Sequence, residues 1–175
     1  MTAPPGGDRP SLTVVLMGVS GVGKSSVMEV LAPMLHAATA EGDDFHSAAN
    51  VEKMGAGIPL TDDDRWPWLR SIAGWIGERE LARVDAIVTC SALRRVYRDL
   101  LRDGHPSVRF VHLLAAAAVV EGRLAGRRGH YMPGTLLESQ IRTLEPLEPD
   151  EPGFEVLAER PPSVLAAEIV ERLGR

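Results

Sequence analysis

Eight residues, GVSGVGKS at 18–25, constrain this chain more than any others. They match G-x-x-x-x-G-K-[ST] at every fixed position, directly after an apolar run and directly before an amphipathic one. A phosphate-binding loop requires that context. Its glycines let backbone N–H groups turn inward around phosphate oxygens, and the positive end of the following helix faces the anion. In such a loop the Lys24 ammonium reaches the β- and γ-phosphates, and the Ser25 hydroxyl holds Mg²⁺. Gly18, Ser20, Gly21, Val22, Gly23, Lys24, Ser25 and Ser26 are therefore the expected nucleotide-binding residues. The motif implies a nucleoside triphosphate without saying what receives the phosphate.

Around this loop the chain alternates short apolar runs with helical patterns. Runs at 12–17, 37–41, 86–90, 109–114 and 154–157 read as buried strands. Apolar spacings at 24–35, 68–82, 93–102, 115–124, 136–144 and 164–173 read as helices, the first kinked or shortened by Pro33. This alternation predicts a parallel sheet with helices on both faces. No repeat or composition break marks a second domain, so residues 11–175 read as one α/β unit. Residues 1–10, rich in Pro and Gly, read as a disordered tail without the apolar core of a secretory signal.

Composition removes several classes. A net charge of −5 offers no basic field for nucleic acid or an anionic membrane, and no apolar run spans a bilayer. The single cysteine, Cys90, excludes an internal disulfide framework and suits a reducing, cytoplasmic setting. Arginine supplies all but two of the 19 basic side chains; the two lysines, Lys24 and Lys53, both fall in motif-like segments.

Three kinds of phosphate-loop protein compete. A GTPase switch needs an Asn-Lys-x-Asp segment, and neither lysine sits in one. A motor or transporter ATPase needs an acid at the end of a hydrophobic strand, where this chain has Thr89-Cys90-Ser91. A small kinase remains. An arginine-rich insert, GRRGHYMPG at 126–134, supports this choice, and the stretch RLAGRRGH at 123–130 resembles the start of the lid in adenylate-kinase-like enzymes, giving a lid at about 124–143. Arg123 and Arg127 are its candidate phosphate and nucleotide contacts, with Arg127 first choice for the developing charge. A solvated basic helix end is the bland alternative for the same arginines.

The acceptor side begins after the second strand with EGDDFHSAANVEKMGAGIPLTDDDRWPWL, residues 41–69. A carboxylate there is placed to take the proton of an acceptor hydroxyl, and position alone leaves Asp43 and Asp44 equal. Thr61 with Asp64 forms a capping-box pattern, and Pro67 suits a first helical turn.

Taken together, four segments resemble the bacterial thermoresistant gluconokinases, a shikimate-kinase-like family. They are GVSGVGKS; GD-x-x-H followed by Asn50 and EKM-x-x-G-x-PL-x-DDDR-x-PWL; CSAL followed by YRDLLR; and R-x-x-x-R-x-GH followed by LL-x-SQ and TLE. The resemblance covers about residues 13–160. It implies a five-stranded parallel sheet of order 2-3-1-4-5, transfer of phosphate from ATP with Mg²⁺ to D-gluconate, and a homodimer. It makes Asp43 the preferred base, alongside Lys24 and Arg127 as catalytic residues. His46, Lys53, Arg65, Arg94, Tyr97, Arg98 and His130 become acceptor contacts, with Arg65 and Arg98 equal candidates for gripping the carboxylate. Three positions depart from the family pattern: Ser47 replaces a proline, Arg94 a lysine and Tyr131 a phenylalanine. A kinase for shikimate or another sugar acid, or a regulator with slow ATPase activity, are the rival readings.

Overall fold

The computed structural model describes residues 9–126 and 134–175. Most of the 1–10 tail, together with Arg127, His130 and Tyr131, lies outside the described residues. The apolar runs become strands β1 (Thr13–Met17), β2 (Ala38–Glu41), β3 (Ala86–Thr89), β4 (Val108–Leu114) and β5 (Gly153–Leu157). All neighbours pair in parallel, in the order β2-β3-β1-β4-β5, as the resemblance implied. Every residue of β1 and β3 is buried, which explains their charge-free, β-branched composition.

Helices α1 (Lys24–Leu35), α2 (Ala48–Gly55), α3 (Asp62–Leu81), α4 (Arg95–Arg102), α5 (Ala117–Ala125), α6 (Gly134–Thr143) and α7 (Pro162–Leu173) complete the described chain. Helix α1 packs on α7 and α3 on α4, so two helical pairs cover the sheet. Strand β1 lies between β3 and β4, where the chain's crossovers change direction. Ligands of open parallel sheets bind at the carboxyl edge of that switch point. The phosphate loop leaves β1 there.

Two local expectations change. Helix α3 starts at Asp62, so Pro67 is its sixth residue rather than part of the first turn. The capping box itself is present: Thr61 Oγ1 accepts from the Asp64 N–H, and the Asp64 carboxylate accepts from the Thr61 N–H. Helix α2 had not been expected. Its only buried residue is Asn50, so it has no apolar stripe to read. Ser47 caps it, its hydroxyl accepting from the Asn50 N–H at 3.2 Å. Among the described residues, no helix is long and apolar enough to cross a membrane.

Candidate active site

The phosphate loop joins the end of β1 to the start of α1. Gly18 sits at φ 136, and a Cβ there would stand 2.7 Å from the Leu113 carbonyl oxygen, so only glycine fits. Gly23 precedes α1 directly, leaving the first N–H groups of that helix aimed past the loop. Lys24 Nζ donates to the carbonyls of Gly18 and Val19 at 2.9 and 3.0 Å, which holds the ammonium over the loop. Ser20, Gly21, Gly23, Lys24 and Ser25 line a cavity of about 490 Å³, within the range of small-molecule sites. Gly18 and Val22 form the loop's buried floor, and Ser26 is exposed on α1 outside the cavity.

Arg123 reaches the loop in an unexpected way. Its Nη1 donates to Val22 O at 2.7 Å and its Nη2 to Ala158 O at 2.6 Å. The guanidinium thus braces the loop's backbone from outside and does not line the cavity.

The same cavity runs on to the carboxyl ends of β2 and β3. Gly42–Phe45 forms one turn of 3-10 helix, which points Asp43 into the cavity and leaves Asp44 outside it. Gly42 is fixed by close approach: a Cβ would lie 2.0 Å from Thr89 O. Trp68 Nε1 donates to Gly42 O at 2.7 Å, tying α3 to this turn. The His46 ring stacks on Trp68, with centroids 4.3 Å apart and planes 14° from parallel. Burial lowers the pKa of His46, only partly opposed by the Asp43 carboxylate.

Of the expected acceptor contacts, Asp43, His46 and Arg65 line the cavity, whereas Lys53, Arg94, Tyr97 and Arg98 do not. Lys53 donates to both Asp64 oxygens at 2.8 and 2.9 Å, so it stabilises the start of α3. Arg94 donates to Asp62 at 2.7 Å and pairs with Glu145. Tyr97 is buried; its hydroxyl donates to Asp62 and accepts from Arg65 Nη1 at 3.1 Å. Tyr97 therefore orients the cavity arginine from behind. The three aspartates of TDDDR also sort themselves: Asp62 serves this network, Asp64 caps, and none lines the cavity.

Arg98 is a correction. It is fully buried, and its guanidinium bonds to Glu151 at 2.6 and 2.9 Å and to the carbonyls of Ala92, Leu93, Glu145 and Pro146. No donor remains for a carboxylate ligand. Its work is to clamp the β3–α4 loop, where Ala92 takes a strained φ of 44, to the segment after α6. Cys90 is a core thiol, pushed up to about 12 by burial.

Glu41 and Gln140 are among the cavity residues that sequence reading missed. Glu41 ends β2 and lines the cavity; its carboxylate accepts from Thr89 Oγ1 at 2.6 Å, and the same hydroxyl accepts from Gly42 N–H. A carboxylate at the carboxyl end of a parallel strand was the available signal. Gln140 of α6 also lines the cavity and accepts from Ser20 N–H at 2.7 Å.

Fold and site together define the class: a small-molecule kinase built on a phosphate loop. No family model matches the chain. A gluconokinase of Gluconobacter oxydans (strain 621H) is 45% identical over 157 residues, spanning 90% of this chain and 88% of that one. A solved sugar kinase from Janibacter sp. HTCC2649 shares 50% identity at a TM-score of 0.90, over 94% of this chain and 95% of that one. A solved gluconokinase from Sinorhizobium meliloti 1021 shares 41% identity at a TM-score of 0.80, over 95% and 97%. The chain belongs to the gluconokinase family.

Proposed function

We propose that this protein transfers the γ-phosphoryl group of ATP to D-gluconate, giving 6-phospho-D-gluconate and ADP. One observation carries the reading: a single cavity begins at Lys24 and Ser25 and continues to Asp43, His46 and Arg65. A nucleotide on the loop and a polar acid beside Arg65 would share one enclosure, as in-line transfer requires.

The loop N–H groups and Lys24 take up phosphate charge. Arg65 grips the acceptor carboxylate in a planar fork, held in direction by Tyr97. Asp43 orients the terminal hydroxyl and accepts its proton as the new ester bond forms and the bond to the β-phosphate breaks. Arg127, from the 126–134 insert, is assigned to the developing charge, and His130 to the acceptor.

Among the described residues, no cluster of three or more His, Cys, Asp or Glu side chains could cage a metal. Ser25 and Glu41, both lining the cavity, suit Mg²⁺, which binds through one or two protein oxygens together with phosphates and waters. When bound, the ion neutralises charge between the phosphates. Dependence on ATP and the single buried Cys90 support a cytoplasmic setting.

A panel of acids offered with Mg-ATP tests the reading. ADP release should depend strictly on D-gluconate. Turnover with shikimate alone, or release indifferent to every acceptor, refutes it.

A further inference from the structure

Asn50 is 5% exposed and the only buried residue of α2, an unusual place for a polar side chain. Its carboxamide nitrogen makes both of its hydrogen bonds inward. One goes to the backbone carbonyl of Asp64 at 2.9 Å, and the other meets His46 Nδ1 at 3.3 Å. A carbonyl oxygen only accepts, so the contact with Asp64 fixes which end of the amide is NH₂. The second hydrogen of that NH₂ then points at His46 Nδ1, which must present its lone pair. In a neutral imidazole the remaining hydrogen therefore sits on Nε2.

The ring plane is set independently. His46 stacks on Trp68, and Trp68 is itself tied to Gly42 O. His46 lines the cavity, and among the described residues Nε2 makes no hydrogen bond. The charged groups lining the cavity with it are Lys24, Glu41, Asp43 and Arg65. Burial and Arg65 oppose a second proton on the ring, while Asp43 favours one.

We propose that Asn50 is a positioning residue that holds His46 as a neutral donor, its Nε2–H directed at a lone pair of the polyhydroxy-acid acceptor. This rests on the reading of the cavity as the acceptor site. It gives His46 and Asp43 different tasks: with its hydrogen on Nε2 and its Nδ1 lone pair held by Asn50, His46 has none free to take the hydroxyl proton, which leaves that step to Asp43. It also makes α2 part of the specificity apparatus, because an acceptor offering only a donor at this point meets donor against donor.

Long-range ¹H–¹⁵N correlation of the histidine rings at neutral pH reads the tautomer directly, with His46→Gln supplying the assignment. A neutral ring protonated at Nε2 is expected in the free protein. Asn50→Asp puts an acceptor opposite Nδ1 and should move the hydrogen of the neutral ring there, which the same spectrum reads. The KM for gluconate should then rise about 10-fold, the size of one lost hydrogen bond, with the KM for ATP within about twofold. A ring protonated at Nδ1 in the unaltered protein overturns the proposal, whether or not the variant folds. So does a folded Asn50→Asp protein whose neutral ring carries its hydrogen on Nδ1 while its KM for gluconate is unchanged. Loss of the acceptor reading has a different signature: no gluconate-dependent turnover in the unaltered protein, with the spectrum still deciding the tautomer.

Discussion

Exchanging Asp43 for asparagine separates binding from chemistry at a single side chain. The amide keeps the size of the carboxylate but cannot take a proton. The turnover number should fall by about 10²–10⁴ while nucleotide binding, followed by displacement of a fluorescent ATP analogue, stays within about twofold. Near-normal turnover would move the base elsewhere in the cavity. At this scale the sequence was legible only in part. The loop residues were identifiable because each glycine and the lysine answer a local geometric demand. Arg65 and Arg98 could not be separated, because both sit on helices in matching motifs. What separates them is packing: Arg98 meets Glu151, 53 positions away, inside the core. That pairing leaves no trace in local spacing. Asp43 and Asp44 were likewise equal by position alone; the resemblance preferred Asp43, and a turn of 3-10 helix points that side chain into the cavity.

Helix α3 shows what an element discloses about itself. Its capping box spans four residues and could be read directly, and Trp68, Leu69, Ile72 and Ile76 mark its buried face. The helix still starts earlier than its apolar pattern, because its first turn makes polar contacts with Lys53, Asn50 and the Tyr97 hydroxyl. Thr61→Ala removes one capping acceptor and should cost about 1 kcal/mol in urea denaturation. A loss indistinguishable from zero would show that the Lys53–Asp64 pair holds this end alone. The same end carries a pH signature. Hydrogen bonds from Lys53, and then from Thr61, hold the Asp64 carboxyl down at about 2 from the usual 3.8. A carboxyl lowered on folding adds stability that is complete above its unfolded value and disappears as pH falls through its folded one. Stability should therefore decline between about pH 4 and 2, and Asp64→Asn should flatten that part of the curve. A variant curve parallel to the unaltered one would remove Asp64 from this account of acid sensitivity.

Across the whole molecule, the parallel sheet followed from its alternating pattern, whereas its strand order came from a resemblance rather than from spacing. The single cavity was not legible, since it depends on β2, β3, α3 and α6 meeting at the carboxyl edge of the sheet. Arg98 and Glu151 hold that edge together. Arg98→Met should cost about 3–5 kcal/mol by stripping a buried carboxylate of its main partner, and adding Glu151→Leu should recover part of the loss. Strict additivity in this double-mutant cycle would show that the pair is not coupled. The central claim, however, concerns transfer. Phosphorus NMR of the unaltered protein with Mg-ATP and D-gluconate tests it most directly. One new phosphate monoester, on the oxygen of C6, should grow in step with ADP and only when gluconate is present. Inorganic phosphate in its place, with no monoester formed, would contradict the assignment.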